Sequence, residues 1–366
     1  MEERLTAAGG ELLADLADGV ATVTLNRPAA LNALTMGMIE GLAAWLDAWE
    51  DDDRVRVVLL RGAGEKAFCA GGDIRALRED FLAGGDQSRR FFIVEYALDH
   101  RIHRYPKPVV ALLDGIVMGG GMGISQGARL RLAGPRTRVA MPETAIGLFP
   151  DVGGSWFLPR CPGRIGTYLG LVGPTLGGPD SLCAGLVDAC AGPDTLAGLP
   201  AELAGCAQAE DPMAAVLALR ARLAREEPVP GELASLRPAI DRHFAQPGIE
   251  AIVRSLETEA HPGFLPWADK TRALLAKRSP TLLKVTLEQL RRGSGLALAD
   301  CFRMEYGLVQ SCFDQGDFLE GVRALIVDKD NAPRWNPPSL AEVSEDAVAA
   351  FFAPRWAPPD HPLARL

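Results

Sequence analysis

Two glycine-bearing segments and two carboxylates hold the residues of this chain best suited to chemistry on a carbonyl group. The first segment is Phe68-Cys69-Ala70-Gly71-Gly72-Asp73-Ile74, and the second runs Gly115-Ile116-Val117-Met118-Gly119-Gly120-Gly121-Met122-Gly123. Glycine permits close backbone approach and left-handed φ values, and a helix that starts there leaves N–H groups pointing outward. Either segment alone also reads as an ordinary tight turn. Facing one cavity, the two would supply a pair of donors to a single carbonyl oxygen, each worth about 2.7–4 kcal/mol in a transition state. The carboxylates are Glu143 and Asp151, eight residues apart in Met141-Pro142-Glu143-Thr144-Ala145-Ile146-Gly147-Leu148-Phe149-Pro150-Asp151. An acid in such apolar company is either a solvated loop residue or a partly buried group with a tuned pKa.

Other chemistries are less well served. Gly123-Ile124-Ser125-Gln126-Gly127 fits the Gly-x-Ser-x-Gly pattern of a serine nucleophile. That pattern needs the serine on a sharp strand-to-helix turn, and here the turn falls at the preceding glycines, placing Ser125 inside the next helix. The dinucleotide fingerprint is not met, because Gln126 stands where its third glycine belongs. The histidines at 100, 103, 243, 261 and 361 form no spaced pair with one another or with an acid, so no metal site is expected.

These segments need strands and helices to position them. Residues 19–25 alternate with period two and end at Asn26-Arg27-Pro28, which predicts a strand followed by a turn. Ile39, Leu42, Leu46 and Trp49 recur at helical spacing, predicting a helix over 35–49. Residues 55–60 and 109–113 read as strands, 80–105 as mainly helical, and 130–132 and 139–141 as two further short strands. A helix follows the glycine triplet. An alternating α/β domain is expected over 10–180. Beyond it, Ala, Leu, Glu and Arg dominate and prolines fall at 228, 230, 238, 262 and 280, predicting a mostly helical region over 181–366. The tail after Asn331, rich in proline and tryptophan, is expected to wrap the surface.

The 366 residues suggest about two domains at roughly 150 residues each. A net charge of -9 argues against a nucleic-acid or anionic-membrane partner. No apolar run approaches the roughly 20 residues of a membrane span, and the start Met1-Glu2-Glu3-Arg4 lacks the features of a signal peptide. Seven scattered cysteines with no Cys-x-x-Cys pair read as reduced thiols, so a cytoplasmic location is expected.

Leu25-Asn26-Arg27-Pro28, Leu31-Asn32-Ala33-Leu34, residues 68–74, the Gly119 run and Pro142-Glu143 together resemble the crotonase (enoyl-CoA hydratase/isomerase) superfamily in order and spacing. Residues 140–154, with Met304-Glu305-Tyr306, residues 317–324 and Asp328-Lys329-Asp330, are similar to its 3-hydroxyisobutyryl-CoA hydrolase branch and carry the match over nearly the whole chain. The resemblance implies a spiral of ββα units with a mostly helical C-terminal region, and usually assembly into a homo-oligomer. It implies an acyl-CoA substrate, coenzyme A being part of the substrate with no separate cofactor. The thioester carbonyl would be held by the N–H groups of Gly72 and Gly120. Glu143 and Asp151 fall on the hydrolase pair, Glu95 matches an acid that helps hold substrate, and Ala70, Asp73 and Ile74 would line the CoA. One departure is informative. Typical hydratases carry a glutamate shortly after the glycine triplet, where this chain has Gly123. Hydrolysis of a short 3-hydroxyacyl-CoA, as in valine breakdown, is therefore expected over hydration or isomerisation, with a non-catalytic acyl-CoA-binding protein as the other alternative. Glu143 would attack the thioester directly or activate water; Asp151 would orient water or the substrate hydroxyl.

Overall fold

The computed structural model describes residues 3–225 and 230–366. Its chain forms two compact units: Met1–Asp73, Val94–Val139 and Thr175–Gly231 in the first, and Ile74–Ile93, Ala140–Pro174 and Glu232–Leu366 in the second.

The first unit carries the strands. β1 (Glu3–Ala7), β2 (Leu12–Ala17) and β3 (Val20–Leu25) form an antiparallel meander, and β4 (Val57–Gly62) pairs in parallel with β3. β5 (Ala67–Cys69), β7 (Ile116–Met118) and β9 (Arg138–Ala140) make a separate three-stranded sheet. β6 (Val109–Leu113), β8 (Leu130–Ala133) and β10 (Ala189–Cys190) extend the large sheet in the order β4-β6-β8-β10, all parallel. The alternation expected at 19–25 and the apolar runs at 55–60 and 109–113 are β3, β4 and β6. The β1–β2 hairpin was not foreseen. Its buried face, Leu12, Ala14 and Leu16, lies in a run of Leu, Ala and Asp that suits a helix equally well.

Helix α1 (Met36–Glu50) starts at Thr35, whose side chain accepts the Met38 N–H, and buries Met38, Ile39, Leu42, Leu46 and Trp49. α2 (Ile74–Leu82) and α3 (Gln87–Arg104) replace the single helical stretch expected over 80–105. α4 (Gly120–Gln126) follows the glycines directly.

The break expected near residue 180 does not coincide with the division into units, and packing explains why. Residues 175–231 return to the first unit: β10 pairs with β8, and Leu199, Leu203, Val216 and Leu219 from the helices Pro193–Gln208 and Pro212–Leu223 share one core with Val57, Val110 and Leu130. Residues 74–93 join the second unit because Phe81 stacks on Phe313 at 4.7 Å and Phe92 meets it edge-on at 6.1 Å. Helices dominate that second unit, as expected for the later part of the chain. The proline at 228 lies outside the described residues.

Candidate active site

In the first unit the two glycine segments converge. Leu34 forms an isolated parallel bridge with Gly72: Leu34 N–H donates to Gly71 O (2.8 Å) and Asp73 N–H donates to Leu34 O (2.9 Å). Those bonds use the groups on either side of Gly72, so its own N–H points away from the Leu34 strand. Gly120 is the first residue of α4, and its N–H has no intrahelical acceptor. Each donor follows a glycine in a backbone region that side chains disfavour, Gly71 at φ +106° and Gly119 at φ +46°. A β-carbon placed on Gly71 would lie 3.6 Å from Gly120 N, and one on Gly120 would lie 3.4 Å from Gly72 N. The same β-carbon on Gly120 would collide with Oε1 of Glu95, which projects from α3 and is only 2% exposed. Gly72, Gly120 and Glu95 thus form one cluster.

The loop behind Gly72 is held by polar groups that sequence patterns showed only as part of a motif. Asn32, fully buried with φ +56°, donates from Nδ2 to Ala63 O (3.0 Å) and Ala67 O (2.8 Å), and its Oδ1 accepts the Arg27 N–H (2.9 Å). The Arg27 guanidinium then bridges Glu11 and Asp73 at 3.0 and 3.1 Å. Asp73 is therefore tied to Arg27, while Ala70 donates its N–H to Leu31 O (3.0 Å) and Ile74 opens α2.

Glu143 and Asp151 belong to the second unit and are 5% and 4% exposed, so neither is a solvated loop acid. Glu143 opens a 3-10 turn ending at Ile146. Burial, reinforced by the charge of Asp151, pushes the Glu143 carboxyl well above the ordinary carboxylate range. Among the described residues its Oε2 is buried without a hydrogen-bond partner, the state of an acceptor or acid kept for another molecule. The surrounding backbone is fixed from several sides. Ser279 N–H donates to Thr144 O, Thr144 Oγ1 donates to Leu171 O, and Gln289 Nε2 donates to Pro150 O. Gly147 and Gly321 let two backbones touch: a β-carbon on the first would collide with Asp317 O, and one on the second with the Ile146 carbonyl.

Asp151 begins a tight turn closed by Gly154 N–H to Asp151 O (2.7 Å). Val152 at φ +52° and Gly153 at φ +87° give it type I′ geometry. A β-branched residue in that region is strained by about 1–3 kcal/mol. The turn leads into α5 (Gly154–Phe157).

Ser125 is buried inside α4, with its Oγ donating back to Gly121 O (2.8 Å) and Met122 O (3.1 Å). That is a helix back-bond, not an exposed nucleophile.

A sequence profile of the enoyl-CoA hydratase/isomerase family matches residues 20–352. The chain is 42% identical over 350 residues to the mitochondrial 3-hydroxyisobutyryl-CoA hydrolase of Danio rerio, covering 94% of this chain and 90% of that protein. It is 39% identical to the corresponding Homo sapiens protein, covering 95% and 89%. Among solved structures, a carnitinyl-CoA dehydratase from Mycobacterium thermoresistibile is 40% identical with a TM-score of 0.85, covering 94% of this chain and 96% of that one. An enoyl-CoA hydratase from Rhodobacter sphaeroides 2.4.1 is 38% identical, also at 0.85, covering 94% and 98%. With the profile, the relatives and the crotonase-like folds in agreement over nearly its full length, this chain belongs to the enoyl-CoA hydratase/isomerase (crotonase) family.

Proposed function

We propose that this protein hydrolyses a short 3-hydroxyacyl-CoA thioester, 3-hydroxyisobutyryl-CoA first among them, to the free hydroxy acid and coenzyme A, a step suited to valine breakdown. The observation that carries the reading is the meeting of Gly72 N–H, Gly120 N–H and Glu95 around a position with no room for a side chain. Two such donors suit the oxyanion that forms when a thioester is attacked. Glu143 is assigned as nucleophile or general base and Asp151 as the acid that orients water or the substrate hydroxyl. Ala70, Asp73 and Ile74 are assigned to the CoA. The hydrolase names of the 42% and 39% identical relatives favour this substrate.

The names of the two solved structures favour a second reading, hydration or dehydration of the acyl chain. That chemistry ordinarily uses a second carboxylate just after the glycine triplet, where this chain has Gly123, buried in α4. The experiment that separates the readings follows free thiol released from 3-hydroxyisobutyryl-CoA, and crotonyl-CoA hydration in parallel. Thiol release without hydration supports hydrolysis; hydration without thiol release overturns it; neither activity, with the CoA ester still bound, points to a non-catalytic acyl-CoA-binding protein.

The reaction so written calls on no metal or cofactor, and full turnover after exhaustive chelation is the expected outcome. A cytoplasmic location and assembly into a homo-oligomer complete the proposal, to be checked by cell fractionation and by light scattering. Among the described residues no cysteine is in a disulfide and five of the seven are buried, which fits a reducing compartment. Among the described residues no helix is long and apolar enough to cross a membrane.

A further inference from the structure

Glu305 is a fully buried carboxylate in the helix Leu298–Gln315, among Cys301, Phe302, Leu308 and Val309. An acid in such surroundings is costly unless donors meet it, and here all of the donors come from one short stretch about 150 residues away in sequence. Gly153 N–H donates to Oε2 (2.8 Å), Ser155 N–H donates to Oε1 (2.9 Å), and Ser155 Oγ donates to the same oxygen (2.5 Å). These donors belong to the strained turn that Asp151 opens. Val152 has no local reason to hold φ +52°, so the conformation persists only if its surroundings over-determine it. Glu305 supplies that constraint by binding the N–H groups on both sides of Gly154.

We infer that Glu305 is a positioning residue: it holds the Asp151–Ser155 turn, and through it the Asp151 carboxyl, in working orientation. The inference rests on the hydrolase reading and adds to it a residue that touches no reacting atom. A purely architectural role for Glu305 would affect folding and leave the coupling to Asp151 at zero.

The test is a kinetic cycle on the full chain, with thiol release from 3-hydroxyisobutyryl-CoA as the readout and thermal melts to confirm folding. Glu305→Gln keeps the size of the side chain but sets an amide NH2 against donors that the ionised carboxylate accepts, so the kinetics are read above about pH 8, where the acid is ionised. Its kcat should fall about 10- to 100-fold, the size of effect that a misplaced catalytic group produces, with KM little changed. In an Asp151→Asn background the same substitution should cost almost nothing more, because both changes act through one group. Ser155→Ala, which leaves Glu305 and both backbone donors in place, should give a smaller loss that is likewise absorbed. If Glu305→Gln fails to fold, the Ser155→Ala arm carries the test alone. Wild-type kcat in the single variant, or full multiplication of the two losses in the double variant, overturns the proposal. Wild-type turnover in Asp151→Asn itself would mark the assignment of Asp151 as the part that failed, and the positioning role would fall with it.

Discussion

Glu95 stands where a side chain on Gly120 would have to go. A β-carbon at position 120 would run into Glu95 Oε1, meet Leu34 Cδ1 at 3.0 Å and lie 3.4 Å from Gly72 N. The acid, the helix-leading glycine and the second amide therefore define one small space whose size depends on the absence of a methyl group. Gly120→Ala should fold, because the φ of Gly120 is not in the left-handed region, and its added methyl should push the Glu95 carboxyl out of its place beside the two amides. The variant keeps its N–H at position 120, but crowding at the amide pair should act like the loss of an oxyanion donor, which costs about 10²–10³ in kcat, and thiol release by Gly120→Ala should fall by a comparable factor.

Glu143 should dominate catalysis, whether it attacks or activates water. Glu143→Gln removes the anion but preserves shape, so turnover should fall by roughly 10²–10⁴ while binding of the CoA ester, measured by calorimetry, persists. Near-normal turnover in that variant would remove Glu143 from the mechanism.

Ser125 gives the contrasting case. Its hydroxyl is spent on its own helix, so Ser125→Ala should lose about 1 kcal/mol of stability or less and none of its thiol-release activity. An inactive, folded Ser125→Ala would revive the serine-nucleophile reading.

Much of this was legible in the sequence because it depends on local chemistry. The glycines at 71 and 119 announce backbone that other residues resist, and both do adopt left-handed φ. The apolar neighbours of Glu143 and Asp151 signal burial, and both are buried. Relationships that depend on distant partners were not legible. Glu305 is one acid in an amphipathic helix until its three donors at 153–155 come into view. Gly321 looks like a helix-weakening residue until the Ile146 carbonyl is seen against it. The interleaving of the two units has the same origin: Phe81 and Phe92 pack on Phe313, and nothing in residues 74–93 alone names that partner.

Gly321 and Gly307 offer a matched pair. A β-carbon on Gly321 would strike the Ile146 backbone, which cannot rotate aside, whereas one on Gly307 meets nothing within 4 Å. Gly321→Ala should destabilise by about 1–3 kcal/mol through overpacking and lower turnover by displacing the Glu143–Ile146 turn. Gly307→Ala should be neutral or stabilising by about 0.4–1 kcal/mol. Thermal melts and thiol release on both variants decide the point.

Burial raises the Glu305 carboxyl from 4.5 to about 8, outweighing the three donors that favour its anion, and the charge of Asp151 adds to the rise. The folded protein therefore holds a proton there, between those two pH values, that the unfolded chain has released. Wherever the folded state binds more protons, stability falls as pH rises, by up to about 1.4 kcal/mol per pH unit for one proton. The contribution of Glu305 is thus fully present below pH 4.5, declines across the interval, and is gone above about 8. His103, lowered by burial from 6.5 to about 4, works in the opposite sense below pH 6.5, but it is common to wild type and variant. Glu305→Gln cannot titrate, so the difference between the two curves of melting temperature against pH isolates this one group. The gap should narrow as pH rises from 5 towards 8, because only the wild type is losing stability there. A gap that stays constant with pH would show that Glu305 is ionised throughout.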